Sequence, residues 1–181
     1  MLIFLLFFFI YSAAGEVYSA IKTSTGQQVA VKKMQMDPDI VALLPAEISI
    51  MKKCNHANIV TYFGSYVVNR ETIWVAMELM EGGCLTDVVQ ANSIKLPENV
   101  IAYIMRESLQ GLAYLHQRHI IHRDIKSDNV LIGRNGEIKV ADFGYAAQLI
   151  KSANARKTVC GVSIIFYTYY LKMIVCIHFL N

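Results

Sequence analysis

His122-Arg123-Asp124-Ile125-Lys126-Ser127-Asp128-Asn129 is the stretch of this 181-residue chain that decides its fold, together with Asp142-Phe143-Gly144 a little further on. The two segments have the forms H-R-D-x-x-x-x-N and D-F-G. Apolar runs typical of strands separate them, at residues 130–132 and 137–140. Phosphoryl transfer needs a carboxylate near the attacking hydroxyl and oxygen ligands for magnesium, and these residues offer both. The alternative interpretation of the first segment alone is a polar turn between two strands.

The two segments resemble those of eukaryotic Ser/Thr protein kinases. Gly82-Gly83-Cys84-Leu85-Thr86-Asp87-Val88-Val89 and the residues around the D-F-G segment, 141–148, are similar to the PAK group of these kinases. The resemblance covers about residues 11–161 and implies an α+β fold with two lobes. The small lobe holds an antiparallel sheet and helix C, and the large helical lobe is incomplete here. The implied enzyme transfers the γ-phosphoryl group of ATP to Ser or Thr of a protein and uses Mg2+.

The resemblance gives four polar residues of the first stretch and of D-F-G distinct roles. Asp124 is the implied catalytic base on the catalytic loop. Lys126 lies two residues further on, at a spacing that resembles Ser/Thr rather than Tyr kinases, and reaches the transferring phosphate as a point charge. Asn129 and Asp142 are the implied metal ligands. These four assignments define the predicted catalytic centre.

Lys32 ends a short apolar strand, Val29-Ala30-Val31-Lys32, and a helix-like segment follows at residues 41–53. A lysine at such a place is most often a solvated strand end. The pattern nevertheless resembles the V-A-I-K segment of the third kinase strand, whose lysine pairs with a glutamate of helix C and with the α- and β-phosphates. Glu47 is the only acid of the helix-like segment. The resemblance therefore implies a Lys32–Glu47 ion pair.

The adenine pocket is also implied by resemblance. Val17 and Ala30 would lie above the ring and Leu131 below it, and Met77 is the implied gatekeeper. The backbones of Glu78 and Met80 would bond the adenine edge. The complete predicted ATP-binding set is Gly15, Val17, Ala30, Lys32, Met77, Glu78, Met80 and Leu131.

Three residues have implied regulatory roles. Arg123, beside the base, would bind a phosphate on the activation loop, and Thr158 stands where that phosphothreonine is expected. Most threonines next to basic residues are simply solvated loop residues. Phe143 would stack with His122 in a column of side chains that links the two lobes.

The segment before Val17 departs from the family pattern G-x-G-x-x-G-x-V. It reads Ile10-Tyr11-Ser12-Ala13-Ala14-Gly15-Glu16-Val17, so Gly15 alone remains of the three glycines. Glycine lets this backbone approach the phosphates and adopt φ > 0, whereas a β-branched residue such as Ile10 disfavours that conformation. We therefore expect weakened ATP binding.

The chain departs again after Gly161, where an A-P-E motif and further helices are expected. We predict a partial kinase domain at residues 1–161, with a small lobe at about 7–77, a hinge at 78–83 and a partial large lobe at 84–161. Residues 162–181 form a divergent apolar tail. The alternative function is a catalytically impaired or inactive fragment that binds nucleotide weakly or acts by docking to a partner kinase.

The amino-acid composition of the chain limits the classes of partner that we expect. Lys and Arg number 17 against 14 acids, and the net charge of +3 gives no reason to expect nucleic-acid binding. The four cysteines lack zinc-ligand spacing and indicate a reducing, cytoplasmic location. We expect a protein substrate and, by family only, a Rho-type GTPase pathway.

The apolar ends leave two alternatives open. Residues 1–10 could be the apolar region of a signal peptide, but residues 7–11 can equally form the first strand of the small-lobe sheet, and we favour the strand. Residues 162–180 are long enough to approach a membrane span, but Lys172 near their centre and their richness in Tyr, Thr, Ile and Val favour a strand-forming, aggregation-prone tail. We do not expect a membrane partner.

Overall fold

The computed structural model describes residues 4–12, 15–36, 38–69, 71–92, 96–144 and 146–148. These residues form ten strands, three α-helices and a 3-10 turn at Ser127–Asn129. The strands are β1 (Phe4–Ser12), β2 (Gly15–Lys22), β3 (Gln27–Gln35), β4 (Tyr62–Val68), β5 (Thr72–Glu78), β6 (Gly83–Cys84), β7 (Ile120–Ile121), β8 (Val130–Ile132), β9 (Ile138–Val140) and β10 (Ala147–Gln148). The helices are α1 (Pro38–Lys53), α2 (Leu85–Asn92) and α3 (Glu98–Gln117). The predicted tail at 162–181 lies outside the described residues.

The first five strands form an antiparallel sheet in the order β1-β2-β3-β5-β4. Alternation of side chains along β3 buries Val29 and Val31 completely, in a small cluster with Ala20 and Ala76. Short connections fit antiparallel neighbours, and the β2–β3 turn places Gly26 at φ 71°, a conformation that glycine adopts without strain. The predicted first strand is present as β1.

Helix α1 begins at Pro38, three residues before the start that the apolar pattern predicted. Proline is well suited to the first helical position, because its missing N–H would have no intrahelical partner there. Leu44, Ile50 and Met51 on α1 are buried in the main core cluster. The helix ends with Lys52 and Lys53, whose charges complement the negative end of the helix dipole.

Helix α3 supplies the second wall of the core. Its buried residues recur at helical spacing and face β9 and β7. The main cluster contains residues of α1, β5, α2 and α3, so one core runs from the sheet to the helical region. The buried positions of α3 are Ile104, Met105, Ser108, Gly111, Leu112 and Leu115.

Two short sheets lie beyond the five-stranded sheet, between residues 83 and 148. Strands β6, β8 and β9 form one antiparallel sheet, and β7 pairs with β10. Ile59 forms a parallel bridge with Val140, which joins the segment before β4 to the end of β9. The predicted α+β fold, with an antiparallel sheet plus a helix followed by a helical region, is confirmed. None of the helices in the described part is both long and apolar enough to cross a membrane.

Candidate active site

The loop between β7 and β8 brings three of the predicted catalytic residues together. The Asn129 side-chain amide donates to the Asp124 backbone oxygen at 2.9 Å and to Asp124 Oδ2 at 3.0 Å. Lys126 Nζ lies 3.0 Å from the same Oδ2. Both side-chain contacts fall on Oδ2, and within the described part of the chain Oδ1 remains available to accept a proton. The Asp124 hydrogen bond raises the pKa of Lys126, which keeps its ammonium charged.

The buried side chain of His122 holds the loop between β7 and β8 in place. Its side chain is fully buried, and its ring centroid lies 5.1 Å from that of Phe143. Nε2 donates to the Ala141 carbonyl at 2.9 Å, and Nδ1 accepts from the Asp124 N–H at 3.4 Å. A ring that donates at one nitrogen and accepts at the other is neutral. Burial lowers the pKa of His122, in agreement with that tautomer.

The backbone is strained at two points of the site. Arg123 has φ 68° and Asp142 has φ 63°, both in the left-handed region. A non-glycine residue in that region costs about 1–3 kcal/mol, and such residues are held only where the surrounding contacts fix them. The Ala141 N–H donates to the Asn129 carbonyl at 2.9 Å, which ties the two strained segments together.

Lys32 contacts a different carboxylate from the one expected. Its Nζ lies 3.7 Å from Asp142 Oδ2, and neither side chain is fully buried. Among the described residues, the predicted Lys32–Glu47 ion pair is not formed within 4 Å. The correction has a physical reason: Asp142 lies within 4 Å of Lys32 and Glu47 does not, and burial raises the pKa of Glu47, which disfavours the charge that an ion pair needs.

Glu47 stays close to the same site but forms no ion pair with any residue that the structure describes. Burial raises its pKa above the ordinary value; Lys32 opposes that rise, and the Asp142 charge adds to it. Glu47 Oε2 lies 3.8 Å from the position that a Cβ on Gly144 would occupy. Glu47, Asp142 and Gly144 therefore border one space beside Lys32.

The predicted adenine residues lie on facing elements. Val17 pairs with Lys32 across β2 and β3, and Ala30 pairs with Met77 across β3 and β5. Met77 and Leu131 both pack against a buried cluster of Val60, Met80 and Ala141. The structure therefore brings the gatekeeper and the residue predicted below the ring into one apolar surface.

Other predicted residues can be located only in part. In the β1–β2 hairpin Ser12 pairs with Gly15, whereas the two residues between them lie outside the described part. Arg123 is exposed beside the catalytic loop. Thr158 lies outside the described residues, so its phosphorylation stays a prediction.

Asn58 is a site-supporting residue that the sequence analysis missed. It is buried, and its side-chain amide donates to the Ile138 carbonyl at 3.0 Å and to Glu107 Oε2 at 2.8 Å. Its own carbonyl accepts from the Val140 N–H at 2.9 Å, two residues before Asp142. The only sequence signal was a polar residue immediately before the apolar pair Ile59-Val60.

Two further supports were missed for the same reason. Glu78 was predicted to act only through its backbone, but its carboxylate contacts Lys139 and Thr61. The Thr86 hydroxyl donates to the buried Ser127 hydroxyl at 2.7 Å, which links α2 to the catalytic loop. Both contacts join residues that are far apart in sequence.

The two predicted metal ligands suit magnesium. The side-chain nitrogen of Asn129 donates to Asp124, which leaves the side-chain oxygen of Asn129 for other partners. Asp142 adds carboxylate oxygens, one of which accepts the Gly144 N–H at 3.3 Å. In the described part, no three His, Cys, Asp or Glu side chains converge as a metal-binding group. Magnesium usually takes only one or two protein oxygens and completes its shell with water and phosphates, so this donor set fits it.

Comparison with known proteins decides the family. The protein kinase domain model matches residues 13–166. The chain belongs to the protein kinase family. This kinase chain is 53% identical over 150 residues to serine/threonine-protein kinase pakB of Dictyostelium discoideum and 47% identical over 150 residues to serine/threonine-protein kinase pak-1 of Caenorhabditis elegans.

The aligned region covers 82% of this kinase chain in both comparisons, but 18% of pakB and 26% of pak-1. The similar pakC of Dictyostelium discoideum is 52% identical and is covered over 31% of its length. The chain thus spans less than a third of each of these relatives. The family match and the identity to these relatives show that the chain is, by family, a PAK-like Ser/Thr kinase.

Proposed function

We propose that this chain contains the nucleotide site and catalytic loop of an ATP-dependent kinase that phosphorylates Ser or Thr of proteins. The observation that carries the proposal is the Asp124–Lys126–Asn129 arrangement, in which one carboxylate oxygen is held and the other is available. A general base must be oriented before it can receive a proton during the reaction. Residues 7–77, 78–83 and 84–161 are the small lobe, hinge and partial large lobe of this proposal.

The substrate hydroxyl would give its proton to Asp124 Oδ1 while its oxygen attacks the γ-phosphorus of ATP. The bond from that phosphorus to the β,γ-bridging oxygen breaks, and ADP leaves. Lys126, next to the base, balances negative charge on the transferring group. Asn129 and Asp142 would hold Mg2+, which neutralises phosphate charge when bound.

Nucleotide binding would use the surface between β2, β3 and β8. Val17 and Ala30 cover the adenine from one side and Leu131 from the other. The Glu78 N–H already donates to the Thr61 carbonyl at 2.8 Å. We therefore assign the Glu78 contact with adenine to its carbonyl oxygen, and the second backbone contact to Met80.

The second candidate is a catalytically impaired chain that binds nucleotide weakly or acts by docking. The position of Lys32 favours it, because active protein kinases need the lysine–glutamate pair of the small lobe and the metal-bound aspartate at the same time. Here Lys32 Nζ lies 3.7 Å from Asp142 Oδ2 and, among the described residues, forms no ion pair with the nearby Glu47. The two family glycines missing before Gly15 also favour the impaired chain, because we expect their loss to weaken ATP binding.

Two measurements separate the candidates. The first is MgATP binding by thermal shift, with Asp142→Ala as the variant that should lose the shift. The second is phosphoryl transfer from labelled ATP to a mixture of protein substrates, with Asp124→Asn as the inactive variant and Glu98→Gln, at the exposed start of α3, as the carboxylate control. Transfer that only Asp124→Asn abolishes supports the kinase. Binding without transfer supports the impaired chain, and no binding refutes both nucleotide proposals.

The resemblance extends the proposal to partners. We infer a protein substrate, a cytoplasmic location and, at family level only, a Rho-type GTPase pathway. Co-precipitation with an active Rho-type GTPase, compared with its GDP-bound form, tests the last of these.

A further inference from the structure

The carboxylate of Glu78 lies in a dense set of contacts where β5 ends. Lys139 Nζ lies 2.6 Å from Oε1 and 2.8 Å from Oε2. Thr61 donates to Oε2 from both its backbone N–H, at 3.1 Å, and its hydroxyl, at 2.9 Å. The proposed adenine contact uses only the Glu78 backbone, so these side-chain contacts need a different explanation. We call Glu78, Lys139 and Thr61 the hinge clamp.

The hinge clamp joins three separate parts of the site. Glu78 begins the hinge, and Thr61 lies immediately before β4. Lys139 is the middle residue of β9 and pairs with Leu131 across the β8–β9 hairpin. Displacement of any one member therefore changes the hinge backbone relative to the strand that carries the lower adenine residue.

Burial makes these contacts stronger than an ordinary surface ion pair. The Lys139 and Glu78 side chains are 13% and 28% exposed. Burial opposes the Glu78 charge, yet the bonds from Lys139 and Thr61 outweigh it and hold the pKa of Glu78 below its ordinary value. Removal of one partner from such a pair leaves a poorly solvated charge without compensation.

We propose that the hinge clamp is a positioning device: Lys139 and Thr61 act through the Glu78 side chain to hold the hinge backbone in the geometry that binds the adenine edge. Lys139 and Thr61 are positioning residues and do not touch the nucleotide. The proposal deepens the nucleotide-binding part of the proposed function and rests on it only for the effect on affinity. The effect on hinge order is independent of nucleotide.

The chain offers a matched control. Arg134 pairs with Glu81 at 2.9 Å on the same side of the hinge, but the two side chains are 75% and 33% exposed. This pair and two members of the hinge clamp, Glu78 and Lys139, border one cavity of about 280 Å³. The cavity gives the longer side chain of Lys139→Arg room to reach Glu78, so that variant serves as the rescue.

The experiment compares Lys139→Met, Thr61→Val, Lys139→Arg and Arg134→Met with the parent chain. Amide hydrogen exchange of the peptide covering residues 78–83 is measured without nucleotide, and the Kd for MgADP by calorimetry. We expect Lys139→Met to speed hinge exchange and to raise the Kd about tenfold, which equals about 1.4 kcal/mol. Thr61→Val, which keeps the shape and loses one hydrogen bond, should show a smaller change of the same sign. Lys139→Arg and Arg134→Met should behave like the parent chain.

Unchanged hinge exchange in both Lys139→Met and Thr61→Val would overturn the proposal. So would an equal increase in Arg134→Met, or a lower Kd in Lys139→Met, because the clamp would then have no specific role or would oppose binding. If the parent chain itself binds no MgADP, the nucleotide proposal fails, and the exchange data alone decide whether the hinge clamp orders the hinge.

Discussion

Replacement of Asn58 with alanine tests how the candidate site is held together. The change removes the side-chain amide that bridges Glu107 on α3 and the Ile138 carbonyl on β9. The backbone contacts of residue 58 remain, including the bond from the Val140 N–H. The variant therefore isolates one side chain that lies between the helical region and the strand leading to Asp142.

The expected loss follows from the two hydrogen bonds. A bond to a carboxylate contributes about 1.5–3 kcal/mol and a neutral one about 0.5–1.5 kcal/mol. We expect the free energy of unfolding to fall by about 2–4 kcal/mol, a large share of the stability of a small domain. An exposed asparagine without such contacts should cost less than about 0.5 kcal/mol.

The assay is urea unfolding of the parent chain, Asn58→Ala and Asn55→Ala. Asn55 is the matched control, because it is the same residue type three positions away and is exposed. A loss below about 1 kcal/mol for Asn58→Ala, or equal losses for the two variants, would refute the reasoning.

The same variant has a predicted pH dependence. The hydrogen bond from Asn58 is the main cause that holds the pKa of Glu107 below its usual 4.5. A lowered carboxyl pKa contributes stability above pH 4.5 that is lost as the pH falls through the folded-state value. The difference between the parent chain and Asn58→Ala should therefore shrink when unfolding is repeated at acid pH. A constant difference from pH 7 to pH 3 would show that Glu107 is not the partner that matters.

Three further outcomes are expected. Gly111→Ala should destabilise the chain by about 1–3 kcal/mol in urea unfolding despite the better helix propensity of alanine, because its Cβ would lie 2.6 Å from the Asn58 carbonyl oxygen; an unchanged midpoint would contradict this. Burial raises the pKa of Glu47, so its charging costs stability as the pH rises above 4.5, and Glu47→Gln should flatten that decline and be the more stable form at pH 7. Burial raises the pKa of both Cys54 and Cys84, but Cys54 is only 7% exposed and Cys84 is half-buried, so peptide-level alkylation at pH 8 should modify Cys54 more slowly.

The sequence predicted those parts of the site that are contiguous in the chain. Asp124, Lys126 and Asn129 lie within one short loop, so their spacing already limits how far apart they can be. The strands and α3 were predictable for a similar reason, because alternation and helical spacing are local patterns. The family match confirms the fold that these patterns indicated.

The partners of Lys32 and Glu78 could not be predicted in this way. Lys32 had one candidate acid in the next helix, but Asp142, over a hundred residues further along, lies nearer to it. The Glu78 carboxylate depends on Lys139, which lies 61 residues further along the chain. A long side chain selects its partner by distance and solvation in the folded state, and the sequence specifies neither.

The two strained residues show that the geometry of the site depends on the contacts around the motifs as well as on the motif residues. Arg123 and Asp142 both hold left-handed φ angles, and each such angle costs about 1–3 kcal/mol. The motif residues supply the functional groups, but Arg123 and Asp142 also bear this conformational cost, because neither residue is glycine. The cost is offset by contacts that fix the two segments against each other: His122 with the Ala141 carbonyl, and the Ala141 N–H with the Asn129 carbonyl. A chain that kept the motifs and lost these contacts would relax to ordinary φ angles and turn Asp142 away from Lys32. The geometry of the site is therefore a property of the shared core and cannot be inferred from the motifs alone.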